Sequence, residues 1–455
     1  MKRMNAWLLA LGLSLGAMGV LAQDSKSTTV YTPEQLQADF RFMRDEIARI
    51  HPDTGAFVSP EMLRKAYATV EAGLRKPLQR DEAWRTLATL NPVFSDAHMS
   101  VSQPDWRAQT VEHLKGRGGL FPFQVQVNAA GDIYIRTELG GGISSLAGAK
   151  IETINGVSAQ QVSAALLKLT QGDTAELRSH LLSRRFWFNY WKVFGAPAQF
   201  EFTVARHGGS VPIRVSASGT TPSVVQANGE LDFEETFQFE LLPRNAALLT
   251  IHQFLAPDKK AFYAWTRDAF QRIRQANVQT LIIDVRDNTG GDDDMWKVGL
   301  LPYLTTQPTR NGSSYIKKVI AGRQSGNEKV GDVVLGFGDT WVEPDLKNPL
   351  HFSGKTYVLV GRLTYSSAVL FSNVMQDFGI GQLVGAGGYA RTRQTGGQQY
   401  ITLPHTGFEV AIPRFILDRP SGSREPALIH PDIVLPDSPF NSRALIDALV
   451  LKLQN

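Results

Sequence analysis

The sequence predicts an α/β protein with a helical N-terminal region, and three observations predict it. From residue 233 onward, strand-like and helix-like segments alternate, the order expected of a core of parallel strands. One buried-type run, 280–285, leads straight into Arg286-Asp287-Asn288-Thr289-Gly290-Gly291, a glycine-rich turn at a strand's carboxyl end. Between residues 32 and 90, by contrast, apolar residues recur at helical spacing. The 455 residues exceed what one hydrophobic core accommodates, so several domains are expected. With 43% hydrophobic and 20% charged residues, the composition excludes a disordered or collagen-like chain. The absence of cysteine removes disulfides, thiolate nucleophiles and iron–sulfur clusters, and lets the chain fold unchanged in an oxidising compartment. Net charge is +4, from 47 basic and 43 acidic residues with no basic block, so no nucleic-acid partner is expected.

Residues 1–22 are expected to be a signal peptide. Lys2 and Arg3 precede an apolar run over 6–21, and Val20 and Ala22 supply small residues at the −3 and −1 positions of a cleavage site. The run is shorter than a membrane span, so the mature chain is expected to begin at Gln23, in the periplasm or outside the cell, and not to be held in a membrane. Gly12-Leu13-Ser14-Leu15-Gly16 matches the serine-hydrolase G-x-S-x-G pattern, but it lies within this run, without the strand and helix that the motif needs, and is set aside.

A helical region is expected over 31–110. Thr32-Pro33-Glu34 gives a cap, a first-turn proline and an acid, and Leu36, Phe40, Met43, Ile47 and Ile50 then form one face. Ser59-Pro60-Glu61 repeats the start signal, and 79–90 reads as a third helix before a turn and short strand around His98. Over 118–217, segments 121–127, 133–137 and 200–204 read as strands, Asn155-Gly156 as a hairpin turn and 159–169 as a helix. Residues 218–232 read as a polar linker. In the 233–455 core, 247–254, 280–285, 355–360 and 382–385 read as strands, and 259–276, 295–304 and 366–378 as helices.

In such folds chemistry collects where strands end. Two places qualify: the turn at 286–291, and Leu363-Thr364-Tyr365-Ser366-Ser367-Ala368, which leads from a strand into a helix. A serine at a helix start has two readings, an N-cap whose hydroxyl accepts backbone N–H groups, or a nucleophile beside N–H groups that can hold an oxyanion. A nucleophile also needs a base.

These residues resemble a family. The segment "DVRDNTGG" over 284–291 resembles the D-x-R-x-N-x-G-G stretch of the S41 serine peptidases, which include the C-terminal processing and tricorn core proteases. "SSAVLFSNVMQDFGIGQLVG" over 366–385 is similar to that family's nucleophile helix, and "GAKIETINGVSAQQV" to its PDZ-like module. "FSDAHMSV" resembles the tricorn-like histidine segment, and "REPALIHPDIVLP" that branch's closing segment. The resemblance implies a spiral ββα, crotonase-like peptidase core over 233–455, a PDZ-like domain over 118–217 and a helical N-terminal domain. It implies hydrolysis of peptides or proteins through an acyl-enzyme, with Ser366 as nucleophile, His98 as base and Glu425 as the acid supporting it. The N–H groups of Ser367 and Gly290 would form the oxyanion hole. No cofactor or metal is implied. With Glu425 beside it, the ionisation of His98 is expected at or above the ordinary value near ~6.5.

Three positions depart from the family pattern. Arg391 stands where the processing proteases have a lysine base, and an arginine cannot act as one. Val369 replaces a common glutamate, and Ala97 replaces the tricorn serine before the histidine, so a hydroxyl contact to the histidine is expected to be missing. Asp292-Asp293-Asp294 could bind a cation through carboxylates but reads rather as a solvated loop; His51 and His430, each before a proline, read as structural. The rival functional class is a non-catalytic ligand- or peptide-binding protein on the same scaffold.

Overall fold

The computed structural model describes residues 29–206, 209–226, 231–338 and 340–453. The expected signal segment, 1–22, lies outside them. The fold is mixed α/β, and a six-stranded sheet organises the core. Its order is Phe237–Leu242, Ala246–Ile251, Thr280–Asp284, Lys355–Leu359, Gln382–Gly385 and Ile433–Val434. Only the first pair is antiparallel; the four other pairings are parallel. A parallel strand covered on both faces needs apolar residues at every position, which is why 281–283 shows no alternation. Leu281 and Ile283 pack with Val358, Val369 and Phe371, while Ile282 packs on the opposite face with Tyr357, Leu359 and the C-terminal helix Ser442–Lys452 through Leu445 and Leu449.

Helices Pro33–Ile50 and Pro60–Gly73 begin where their caps indicate: the Thr32 and Ser59 hydroxyls accept from the N–H groups of Gln35 and Met62. The face of Leu36, Phe40, Met43, Ile47 and Ile50 is buried in a cluster that also takes in Val101, Val410 and Ile412. Strand Ser100–Ser102 therefore does not belong to the helices alone. It pairs antiparallel with Glu409–Ile412, Val101 opposite Val410, and so ties the His98 segment to the C-terminal part of the chain.

A second sheet runs Phe123–Val127, Ile133–Glu138, Lys150–Ile154, Gln199–Arg206 and Gly209–Ser216, with Asn155-Gly156 at the tight turn into Val157–Ser158. Helices Ala159–Leu167, Ala175–Arg184 and Phe186–Phe194 flank it. The expected 295–304 helix is two pieces, Asp294–Gly299 and Leu301–Leu304, because Pro302 has no N–H to continue the first. The expected linker carries a one-turn helix, Ser223–Gln226. Strands Ser314–Lys318, Val333–Phe337, Gln394–Gly396 and Phe415–Leu417 form a four-stranded antiparallel sheet that the sequence patterns did not indicate. Among the described residues no helix is long and apolar enough to cross a membrane.

Candidate active site

Two loops at the carboxyl ends of neighbouring strands build the site. The 285–291 loop follows Thr280–Asp284 and the 360–366 loop follows Lys355–Leu359, and backbone bonds join them beyond the sheet. The N–H of Leu363 donates to Arg286 O at 2.9 Å, and that of Tyr365 to Asn288 O at 3.0 Å. Thr364 braces the junction, donating to Val285 O at 2.7 Å and accepting from Gly361 N–H at 2.9 Å. Asn288, fully buried, donates to Ile251 O and accepts the Gly290 N–H at 2.8 Å. Arg286 is held by Asp284 at 2.6 Å and Asp437 at 2.8 Å. The D-x-R-x-N-x-G-G residues thus act as the frame that sets Gly290 against Ser366.

Ser366 sits at the start of helix Ser367–Asp377 with φ +53° and ψ −125°, a conformation a non-glycine residue rarely adopts. Its side chain makes no capping bond to the helix, which removes the N-cap reading. The hydroxyl lies 3.0 Å from Nε2 of His98. Residues held in such sparsely populated backbone regions cluster at active sites, where the surrounding structure sustains the strain. Ser367 is different: it is buried, and its hydroxyl donates to Asp293 at 2.6 Å and accepts from Trp296 Nε1 at 2.9 Å. That hydroxyl is committed on both sides, whereas the Ser367 N–H, in the first turn of the helix, has no backbone acceptor among the described residues.

Gly290 also differs from expectation. With φ +102° it packs so closely that a Cβ would stand 2.6 Å from Ser366 Cβ and 2.9 Å from Ser367 N. Its N–H, however, is already donated to Asn288. The neighbouring N–H of Gly291 has no partner among the described residues, although its chain is fixed on both sides by Phe254 N–H to Gly290 O at 2.9 Å and Asp292 N–H to Phe254 O at 2.6 Å.

On its far side His98 does not meet Glu425. Glu425 is exposed, and its hydrogen bonds run through its backbone to the Ser423 hydroxyl. Nδ1 of His98 instead lies 2.9 Å from the Thr395 hydroxyl, which is 3.0 Å from Asp96 Oδ1. Asp96 Oδ1 also accepts the His98 backbone N–H at 2.8 Å. Asp96 Oδ1 accepts the Thr395 hydroxyl, so Thr395 accepts in turn from Nδ1–H, leaving the Nε2 lone pair facing the Ser366 hydroxyl. The hydroxyl expected to be missing because of Ala97 is thus supplied by Thr395. Asp96 stands two residues before His98, inside the segment FSDAHMSV, yet was not singled out from the sequence; Thr395, 297 residues away, had no sequence signal.

A buried polar group backs this line. The Tyr365 hydroxyl lies 2.9 Å from Asp173 Oδ1 and 3.2 Å from Asp96 Oδ1. Arg391 donates to Ser95 O at 2.5 Å and to Ser95 Oγ at 3.0 Å, and pairs with Asp173 at 3.7 Å. Arg391 is therefore a clamp joining the histidine loop to residue 173. Burial pushes His98 down to about 4, against the attraction of Asp173, so the upward displacement expected from Glu425 is reversed. Burial lifts the carboxyls of Asp96 and Asp173, and the charge of Asp96 lifts Asp173 further.

The aspartate run is a partly exposed loop pinned by ion pairs. Asp292 and Asp294 flank Lys259 at 2.5 and 3.1 Å, and Asp293 holds Ser367 and Lys297. Among the described residues no group of three or more potential ligands could hold a metal ion.

Comparison with known proteins agrees with this architecture. Residues 245–435 match the model of peptidase family S41. The class that fold, site and match define is a serine-type peptidase, a hydrolase, and the chain carries an S41 peptidase domain. Among solved structures it is similar to mature CPAF, with a TM-score of 0.64 at 13% identity over 92% of this chain and 96% of that one. Mature CPAF complexed with lactacystin gives 0.61 at 14% identity over 92% and 97%. At such identities the likeness is one of fold. No curated protein matches the sequence.

Proposed function

We propose that this chain is an exported serine peptidase in which Ser366 is the nucleophile and His98 the general base. The observation that carries the proposal is the 3.0 Å approach of His98 Nε2 to a strained, uncapped Ser366 hydroxyl at a helix start. As Oγ bonds to the scissile carbonyl carbon, its proton passes to Nε2. The oxyanion is met by the N–H of Ser367 and, because the Gly290 N–H is committed, by that of Gly291. The C–N bond then breaks, His98 gives its proton to the leaving amine, and water repeats the sequence on the acyl-enzyme. Thr395 and Asp96 hold the tautomer and steady the imidazolium, the part that the resemblance gave to Glu425.

The 118–217 region is proposed to be PDZ-like, with 31–110 as a helical domain and the peptidase core over 233–455 as the crotonase-like spiral. The PDZ-like region either takes a peptide terminus by strand addition or serves as a packing domain. Export rests on the 1–22 segment, and the mass of the mature product, expected to start at Gln23, tests it. For the chemistry, a fluorophosphonate should label wild type at Ser366 and leave Ser366→Ala unlabelled and inactive on peptides. A folded wild type that neither labels nor cleaves would favour the non-catalytic binding protein.

A further inference from the structure

A cavity of about 640 Å³ lies where the helical region, the second sheet and the core meet. Five arginines line it, Arg107, Arg136, Arg184, Arg185 and Arg362, against two carboxylates, Asp287 and Glu409. Arg362 is occupied by Asp437 at 2.8 Å and stands 3.8 Å from Asp287. Arg107 lies over the Trp106 ring and reaches Val224 O at 3.4 Å. Arg185 also lies over Trp106, 5.0 Å from the ring centre. Arg136, Arg184 and Arg185 form no ion pair among the described residues. Burial acts against these charges. Burial lowers Arg184 and brings Arg185 down to about 10, with Arg184 and Arg107 adding repulsion. Arg184 keeps accessible surface because it faces the cavity, while the protein packed around it still strips hydration from its charge.

The walls of the cavity are continuous with the catalytic loops: Asp287 is three residues before Gly290, Leu363 three before Ser366, and Ser100 two after His98. Unpaired guanidinium groups converging on a space of this size fit a planar anion that accepts two N–H groups side by side. We propose that the cavity binds a carboxylate of the peptide substrate, so that the enzyme selects carboxylate-bearing segments. The carboxylate is that of an acidic side chain, since a chain terminus is what the PDZ-like region would hold by strand addition. This deepens the peptidase reading and rests on it for the nature of the ligand.

Binding of short fluorescent peptides to full-length Ser366→Ala, followed by anisotropy, tests the proposal without turnover. Four peptides share one sequence: acidic with a free terminus, acidic residues changed to glutamine, terminus amidated, and both changes together. The first should bind at least about tenfold tighter than the last, and the advantage should shrink as salt rises. The change to glutamine should remove most of that advantage and amidation little of it; loss on amidation alone overturns the assignment. Arg136→Gln and Arg184→Gln, each added to Ser366→Ala, should bring the first peptide to the level of the last and leave the last unchanged. Equal binding of the first and last peptides, or a preference that survives both arginine changes with its salt dependence intact, overturns the proposal. Fluorophosphonate labelling of wild type is independent of these results, so failure of the carboxylate site and failure of the peptidase reading are told apart.

Discussion

The chemistry of Ser366 depends on which acid orients His98, and the two candidates make opposite predictions. Thr395 joins Nδ1 of His98 to Asp96, whereas Glu425 is exposed and bonds Ser423 only through its backbone. Thr395→Val should lower kcat by about 100-fold, within the range of general-base contributions. Thr395→Ser should restore most of it, and Glu425→Gln should leave kcat near wild type; steady-state rates on one peptide decide. The pH profile adds a second reading. As a base His98 must be neutral, and burial holds its ionisation near 4, so kcat/KM should hold steady from pH 7 downward and lose its acid limb well below 6.5. A limb at or above 6.5 would mean an imidazole in contact with water or with a facing carboxylate such as Glu425.

At the scale of elements, the site is a seam between two loops, and Gly290 is where they touch. Its φ of +102° suits glycine, and an added Cβ would lie 2.6 Å from Ser366 Cβ, with the Ser367 backbone nitrogen 2.9 Å away. Neither neighbour can withdraw without moving the start of the helix. Gly290→Ala should therefore abolish fluorophosphonate labelling while circular dichroism stays native; retained labelling would show that the loops yield. The clamp at Arg391 behaves differently. Its loss leaves Asp173 buried without its cation, and breaking such a pair costs about 3–5 kcal/mol. Arg391→Ala should thus lower Tm sharply and reduce kcat far less than His98→Ala does.

For the whole molecule, three histidines are held neutral by burial. His51, His98 and His180 are each lowered to about 4, His180 also by the charges of Arg362 and Arg136. Between about 6.5 and 4 the unfolded chain binds protons that the folded chain refuses, so stability is present above the unfolded value and lost as pH falls through this window. Asp96 and Asp173, raised by burial, act in the opposite sense, favouring the folded state as pH falls. Each buried neutral histidine therefore contributes a fall in the urea midpoint between pH 7 and 5. Between pH 7 and 5 the midpoint of wild type should drop further than that of His51→Gln, and the same pH dependence in both would contradict neutral burial of His51.

By itself the sequence determined the alternation of the core, the caps at Thr32 and Ser59, and the pairing of a glycine turn with a serine at a helix start. These are local: a periodicity of two or 3.6 residues and a cap are written within a few neighbours. It also marked His98 and Ser366, through resemblance, as residues to watch. Only the tertiary structure decided what surrounds them. The 3.0 Å contact joins positions 268 apart, and Thr395 reaches His98 across 297 residues. The choice of Asp96 over Glu425, of a clamp at Arg391, and of a committed N–H at Gly290 each depends on which chain segment fills a neighbouring space. The four-stranded antiparallel sheet escaped the sequence for the same reason: strands as short as Gln394–Gly396 and Phe415–Leu417 are too brief to carry a pattern, and pairing across the fold stabilises them.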